Sequence, residues 1–334
     1  MTRTSSFPEA IAARWSRLCW WLSAELEVSG FTRSPYDWPV KIGVQLPEVE
    51  RPVPWDEWRD IAKTIEDCGF DSVWMGDHLL YRDERGASGP REAWTSLAAL
   101  AVATSRVEIG PLVAATAFHA PAMLAKMAAT VDEISGGRLI LGLGAGWNRV
   151  EFDGFGFPYD HRVSRFEEAF TVISTLIREG AIDFAGEHYT LRDMEMVPRA
   201  RPDMKILIGS NGPRMLRATM SRADMWNSWY LGFDNRADGL GELMERVDDA
   251  CRAVGRDPSE VERTVAVYVQ LSRGTGRVPG DDERTGVGPI RGSNEEIAAA
   301  LRAFGPAGIS HLQIVLDPID APAVEELAGI VRLI

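Results

Sequence analysis

The stretch ILIGSNGPRML, residues 206–216, decides how the chain is read. Ile206 to Ile208 are bulky apolar residues suited to a buried strand, and a helix-like pattern begins at Pro213. Between them Gly209, Asn211 and Gly212 permit a tight turn and close approach by another molecule. Proline suits the first helical position, where its missing N–H would be unpaired anyway. The next free N–H groups lie at the positive end of the helix dipole, an arrangement that binds phosphate readily. The same residues also make an ordinary strand–turn–helix connection, so the stretch alone leaves both uses open.

Working outward, the pattern repeats. Strands are predicted at 40–46, 71–77, 107–113, 138–146, 205–210, 225–230, 263–271 and 311–317. Helices are predicted at 54–68, 92–104, 121–135, 161–178, 213–222, 237–255, 294–304 and 322–333. Strict alternation implies parallel βαβ units. Eight such units favour a closed (β/α)8 TIM barrel with insertions over an open doubly wound sheet. One insertion is a hairpin-like alternation at 184–197. Residues 39–334 therefore read as the barrel, and 1–38 as an N-terminal extension. In that extension Phe7, Ile11, Trp15, Leu18 and Leu22 recur at helical spacing, predicting an amphipathic helix over 8–26. Such a helix would cover the bottom of the barrel or form a dimer contact, unless the segment is translated from upstream of the natural start.

Bulk properties narrow the class. The 334 residues carry a formal net charge of −13, 45% hydrophobic and 25% charged residues. An acidic chain is poorly suited to nucleic acid or anionic membranes, which need clustered cations. Only four residues are lysine, which with abundant Ala and Gly hints at GC-rich coding. Cys19, Cys68 and Cys251 are far apart and match no metal spacing. No apolar run approaches the roughly 18 residues of a membrane span. The expectation is a cytoplasmic protein acting on a small molecule, with no metal and with neither nucleic acid nor membrane as partner.

A barrel places its chemistry at the C-terminal strand ends. Those ends hold Gln45; Asp77 and His78; Leu112 and Val113; Gly144, Gly146, Trp147 and Asn148; Gly209, Ser210, Asn211 and Gly212; and Asp317. None is a lysine, which argues against a Schiff-base enzyme, and no metal-ligand set or nucleophile elbow is present. What remains suits a cofactor that brings its own reactivity. Glycines 142, 144 and 146 alternate, so one strand face lacks side chains and offers a bed for a flat ring. His78 is the candidate catalytic residue, since a histidine exchanges protons near neutrality; a polar cofactor contact is its plainer role. Asp77 should point away from His78 if the backbone is extended. Glu151 would either hydrogen-bond the ring or cap the following segment. Arg162 and Arg165 would meet a phosphate or anionic tail, or pair with Asp160, Glu167 and Glu168. The loop 273–292, with six glycines and four arginines, reads as a mobile lid.

Three blocks, GFDSVWMGDHLL (69–80), the long run 121–159 containing RLILGLGAGWNRVEFDGFGFPY, and GSNGPRML with RADMWNSWY (209–230), resemble the bacterial luciferase-like superfamily. The likeness leans toward its coenzyme F420-dependent oxidoreductases and runs from about residue 40 to the end. It implies a (β/α)8 barrel, often a homodimer, that binds F420, or alternatively FMN, at the strand ends. It implies a non-prolyl cis peptide at Leu112–Val113 beneath the ring, and a phosphate held by Ser210, Asn211 and Gly212. It further implies that His78 lies near the reactive ring edge. The function so implied is F420-dependent hydride transfer to or from a small organic substrate, the alternative being a reduced-FMN monooxygenase. An Arg-rich lid and Arg162 would suit the polyglutamyl tail of F420.

Overall fold

In the computed structural model the described residues are 39–84, 86–276 and 286–334. The expected helix over 8–26 lies outside them, as do Arg277 and Arg284 of the expected lid.

The strands form as the pattern demands. They are β1 (Lys41–Gln45), β2 (Ser72–Met75), β3 (Tyr81–Asp83), β4 (Gly86–Ser88), β5 (Glu108–Pro111), β6 (Ala114–Ala115), β7 (Ile140–Gly144), β8 (Ala181–Ala185), β9 (Thr190–Glu195), β10 (Lys205–Gly209), β11 (Met225–Trp229), β12 (Glu262–Gln270) and β13 (His311–Asp317). The helices are α1 (Trp55–Asp67), α2 (Ala93–Ala103), α3 (Pro121–Ser135), α4 (Arg149–Phe155), α5 (Arg162–Arg178), α6 (Pro213–Thr219), α7 (Gly241–Ala253), α8 (Asn294–Arg302) and α9 (Ala321–Val331).

Local chemistry sets the helix ends. In α1, Asp56 and Glu57 complement the dipole, while Trp58, Ile61, Ala62 and Ile65 turn inward at helical spacing. The Glu92 carboxylate accepts from the Trp94 and Thr95 amides at the head of α2. Ser293 and Glu296 form a reciprocal capping box on α8. Helix α3 stops at Gly136, which takes the left-handed conformation (φ 72°) that glycine adopts without strain.

The central sheet runs β5-β2-β1-β13-β12-β11-β10-β7-β6, with every pairing parallel. Residues 108–115 form a single interrupted strand: β5 pairs with β2, β6 pairs with β7, and a bridge joins Ile109 to Leu139. The ring therefore closes as an eight-stranded (β/α)8 barrel, as expected. Strands β2, β7 and β13 are buried along their whole length, as barrel strands enclosed by helices must be. The cis peptide falls at Leu112–Val113, between the two halves of the interrupted strand.

Three features differ from the sequence reading. The stretch 149–155, expected to be irregular, is the short helix α4, capped by the Asn148 side chain. Strands β3 and β4 form an unexpected small hairpin after β2. The expected hairpin begins earlier, at Ala181. Among the described residues no helix is long and apolar enough to cross a membrane, and no group of three or more His, Cys, Asp or Glu side chains is arranged to hold a metal.

The barrel interior carries a buried polar chain. Trp74 Nε1 donates to Ser72 Oγ (2.6 Å), which lies 2.7 Å from His311 Nε2. Complete burial, assisted by the charge of Lys41, pushes the His311 imidazole down to about 3. Below the ordinary pKa of about 6.5 the unfolded histidine therefore gains a proton that the folded one refuses. This share of stability is complete above about pH 6.5 and is lost as pH falls toward 3, at about 1.4 kcal/mol per pH unit. Denaturant unfolding of wild type and His311→Gln at several pH values checks it. The stability difference between the two should shrink by that slope below pH 6.5; a pH-independent difference would contradict it.

Candidate functional site

The C-terminal ends of β1, β2, β6, β7 and β10 bring most of the expected residues to one rim. Gln45, at the end of β1, is buried; its Nε2 donates to Glu48 Oε1 (2.6 Å) and its Oε1 has no partner. The carboxylate of Asp77, beyond β2, accepts from the Ala115 amide (3.0 Å) and lies 2.9 Å from His119 Nε2. Asp77 thus points inward and fastens the segment after the interrupted strand, while His78 points the other way.

His78 is paired with a buried carboxylate. Its Nδ1 lies 3.2 and 3.1 Å from the two carboxylate oxygens of Glu151. Glu151 also accepts from the Leu79 amide (2.5 Å) and the Leu80 amide (3.3 Å). It is 1% exposed, and its contacts are to His78 and to the chain that follows. The cap of α4 is Asn148 and not Glu151. Burial on its own would lower the His78 pKa. The hydrogen bond that Glu151 accepts and the charges of Glu48, Glu151 and Asp77 outweigh that and hold it above the ordinary histidine value. Burial likewise works to raise the Glu151 carboxyl, but His78 and the two backbone amides keep it below the usual carboxylate range. The His78 ring packs against Tyr81 (centroids 4.9 Å apart) and edge-on against Trp147 (5.6 Å). Trp147 is 65% exposed at the mouth.

The glycine face of β7 is not bare. A Cβ at Gly144 would lie 2.7 Å from Val113 Cγ2, and one at Gly209 would lie 2.9 Å from Val113 Cγ1. A Cβ at Gly142 would collide with the Pro111 carbonyl. The glycines make room for the interrupted strand, so Val113 occupies the bed expected for a ring. Gly144 is buried beneath it, and Leu112 is also buried. Gly146 lies beyond the strand at φ 75° and packs on Phe152.

In the turn between β10 and α6, the Ser210 hydroxyl accepts from the Gly212 amide (3.3 Å), and Trp226 Nε1 donates to the Ser210 carbonyl (2.8 Å). Asn211 Nδ2 donates to Ser228 Oγ (2.9 Å), leaving Asn211 Oδ1 buried without a partner. Gly212 is exposed, and a Cβ there would meet only Ser210 Oγ, at 3.8 Å. Asn148 is taken up by structure: its Oδ1 accepts from the Val150 amide and its Nδ2 donates to the Leu80 carbonyl.

Among the described residues Arg162 pairs with none of Asp160, Glu167 and Glu168. Its guanidinium stacks 3.7 Å from the centroid of Tyr159, whose ring also receives Arg149 at 4.6 Å. Glu167 is held instead by Arg214, and Glu168 by the amides of residues 187–189. The described flanks of the lid segment are tied down: Asp317 accepts from Gln270 Nε2 and the Gly276 amide, and Arg273 makes a two-pronged pair with Asp320. Glu48 and Tyr81, both beside His78, escaped the sequence reading; Glu48 follows Gln45 by three residues, the one available hint.

The rim of this closed parallel barrel thus carries a histidine–carboxylate pair and a glycine-rich strand-to-helix turn. The profile of the luciferase-like monooxygenase family matches residues 40–275, and the chain belongs to that family. It is 30% identical over 220 residues to an F420-dependent glucose-6-phosphate dehydrogenase of Amycolatopsis mediterranei, covering 64% of this chain and 65% of that one. It is 32% identical over 208 residues to the pyrimidine monooxygenase RutA of Stutzerimonas stutzeri, covering 59% and 56%. The chain thus spans between half and two thirds of these relatives. The fold superposes on an F420-dependent secondary alcohol dehydrogenase solved with an F420–acetone adduct, with TM-score 0.74 at 20% identity over 88% of this chain and 98% of that one.

The contact between Val113 and the glycines can be tested directly. Gly144→Ala should cost about 1–3 kcal/mol by overpacking. In a double-mutant cycle with Val113→Ala, the combined loss should be smaller than the sum of the two, read by urea unfolding. Strict additivity would show that the two side-chain positions do not touch.

Proposed function

We propose that this protein is a coenzyme F420-dependent oxidoreductase that transfers hydride between the deazaflavin and a small organic substrate at the rim described above. The observation that carries the reading is His78, held by an ionised carboxylate on the same rim as the Gly209–Gly212 turn. Hydride transfer at a polarised bond needs a proton moved nearby, and His78 is suited to move it.

The residues fit such a group. Oδ1 of Asn211 and Oε1 of Gln45 are buried acceptors without partners, suited to ring N–H or hydroxyl groups. Ser210, exposed Gly212 and the head of α6 present a hydroxyl and backbone amides to a phosphate. Val113 and Gly146 line the approach to the ring. When bound, the deazaflavin supplies or accepts the hydride; the protein orients it, and His78 Nε2 handles the proton. The likeness to F420-dependent relatives supports this reading, as the likeness to RutA supports the competing one, a reduced-FMN monooxygenase using O2.

Titration with F420, reduced F420 and FMN, followed by fluorescence quenching, separates the two. Saturable F420 binding is expected; tight FMN binding with none for F420 would overturn the proposal. Ser210→Asp should weaken F420 binding about tenfold or more by setting a carboxylate beside the phosphate. His78→Ala should leave affinity within a few-fold, since its task is the proton.

A further inference from the structure

We propose that Glu151 is a positioning residue that fixes the His78 ring with Nδ1–H directed at the protein, so that Nε2 alone faces the mouth and His78 acts there as proton donor. This rests on the functional reading above and deepens it: with a polarised double bond such as a carbonyl, enone or imine as substrate, His78 is the group that donates the proton.

The geometry carries the argument. An ionised carboxylate only accepts hydrogen bonds. Both oxygens of Glu151 face His78 Nδ1, so that nitrogen keeps its hydrogen in either charge state of the ring. Proton exchange is thereby confined to Nε2, which has no hydrogen-bond partner among the described residues. The Leu79 and Leu80 amides bind the same carboxylate, so the carboxylate, the ring and the chain turn form one unit. Helix α4 supplies this unit from the far side, capped by Asn148, whose Nδ2 returns to the Leu80 carbonyl.

The charges around the ring then decide its state. Glu151 approaches from α4, Asp77 from the same loop, and Glu48 from the turn after β1. Glu48 and His78 abut at Gly76: a Cβ there would collide with the Glu48 carboxylate and lie 3.3 Å from His78 Cδ2. Tyr81 and Trp147 complete the walls and bring no cation. Glu151 is the carboxylate in direct contact with the ring, Glu48 lies beside it, and Asp77 adds a smaller effect from the far side, where His119 engages it; together they favour the imidazolium, in accord with the raised His78 pKa. In the proposed step the Nε2–H bond breaks and the electron pair stays on the ring. The proton joins the substrate atom next to the carbon being reduced, for which reduced F420, when bound, would supply the hydride. Neutral His78 remains bonded to Glu151 through Nδ1–H and regains a proton from solvent.

NMR of histidine-labelled apoprotein tests this without cofactor or substrate, so its failure is distinct from failure of F420 to bind. His78→Ala assigns the resonance among the five histidines. In wild type the expected result is a titration above 6.5, with the neutral ring in the Nδ1–H tautomer. Glu151→Gln retains an acceptor for the Leu79 amide but removes the charge. It should lower the His78 pKa by about one unit or more. A wild-type His78 that titrates at or below 6.5, a neutral ring in the Nε2–H form, or an unchanged pKa in Glu151→Gln would each overturn the proposal. The first two readouts do not use Glu151→Gln, so they decide the matter even if that variant folds poorly.

Discussion

The barrel depends on one strand that serves two neighbours. Residues 108–111 pair with β2, Ile109 also bridges Leu139, and 114–115 pair with β7, so the ring closes through one strand interrupted at 112–113. The interruption sets Val113 against Gly144 and Gly209. Closure and the floor of the site are thus the same structural event. Any larger residue at those glycines would push on the strand that completes the ring, so the site cannot be altered there without disturbing the closure.

The fold was legible because its signal is distributed. Each βα unit repeats the same buried strand and amphipathic helix, so errors of a few residues at the ends leave the count unchanged. The interrupted strand was not legible as two pieces, because VEIGPLVAA reads as one apolar run whichever neighbour it pairs with. Helix α4 was missed for a different reason. Seven residues with two glycines nearby carry too little periodicity, and the helix is held by the Asn148 cap and by contacts from Glu151 to residues 78–80. Long-range contacts of this kind leave no local trace.

The site was legible in outline only. Strand ends could be read off as a set, and His78 with the GSNG turn stood out by residue type. What each residue does was not legible, since a polar side chain at a strand end can face the mouth or the protein. Asn148 and Asp77 make structural hydrogen bonds, and Arg162 stacks on an aromatic ring. The alternating glycines signal close packing as readily as an open face, and only the position of Val113 distinguishes the two. Glu48 went unread because its partner in space, His78, lies thirty residues away.

The divergence of Asp77 and His78 explains why the histidine's carboxylate had to come from elsewhere. Extended chain sends successive side chains to opposite sides. Asp77 turns to Ala115 and His119, where it anchors the segment after the interrupted strand. His78 is left facing the mouth, where an unpartnered ring would rotate and, once partly buried, would favour the neutral form. A carboxylate placed behind it corrects both at once, and α4 can offer one only because the GAGWN turn brings its first turn back over the β2 loop. Glu151 is also bound to two amides of that loop, so the ring cannot shift without moving the chain. The rigidity that aims the histidine and the charge that governs its proton therefore reside in a single side chain.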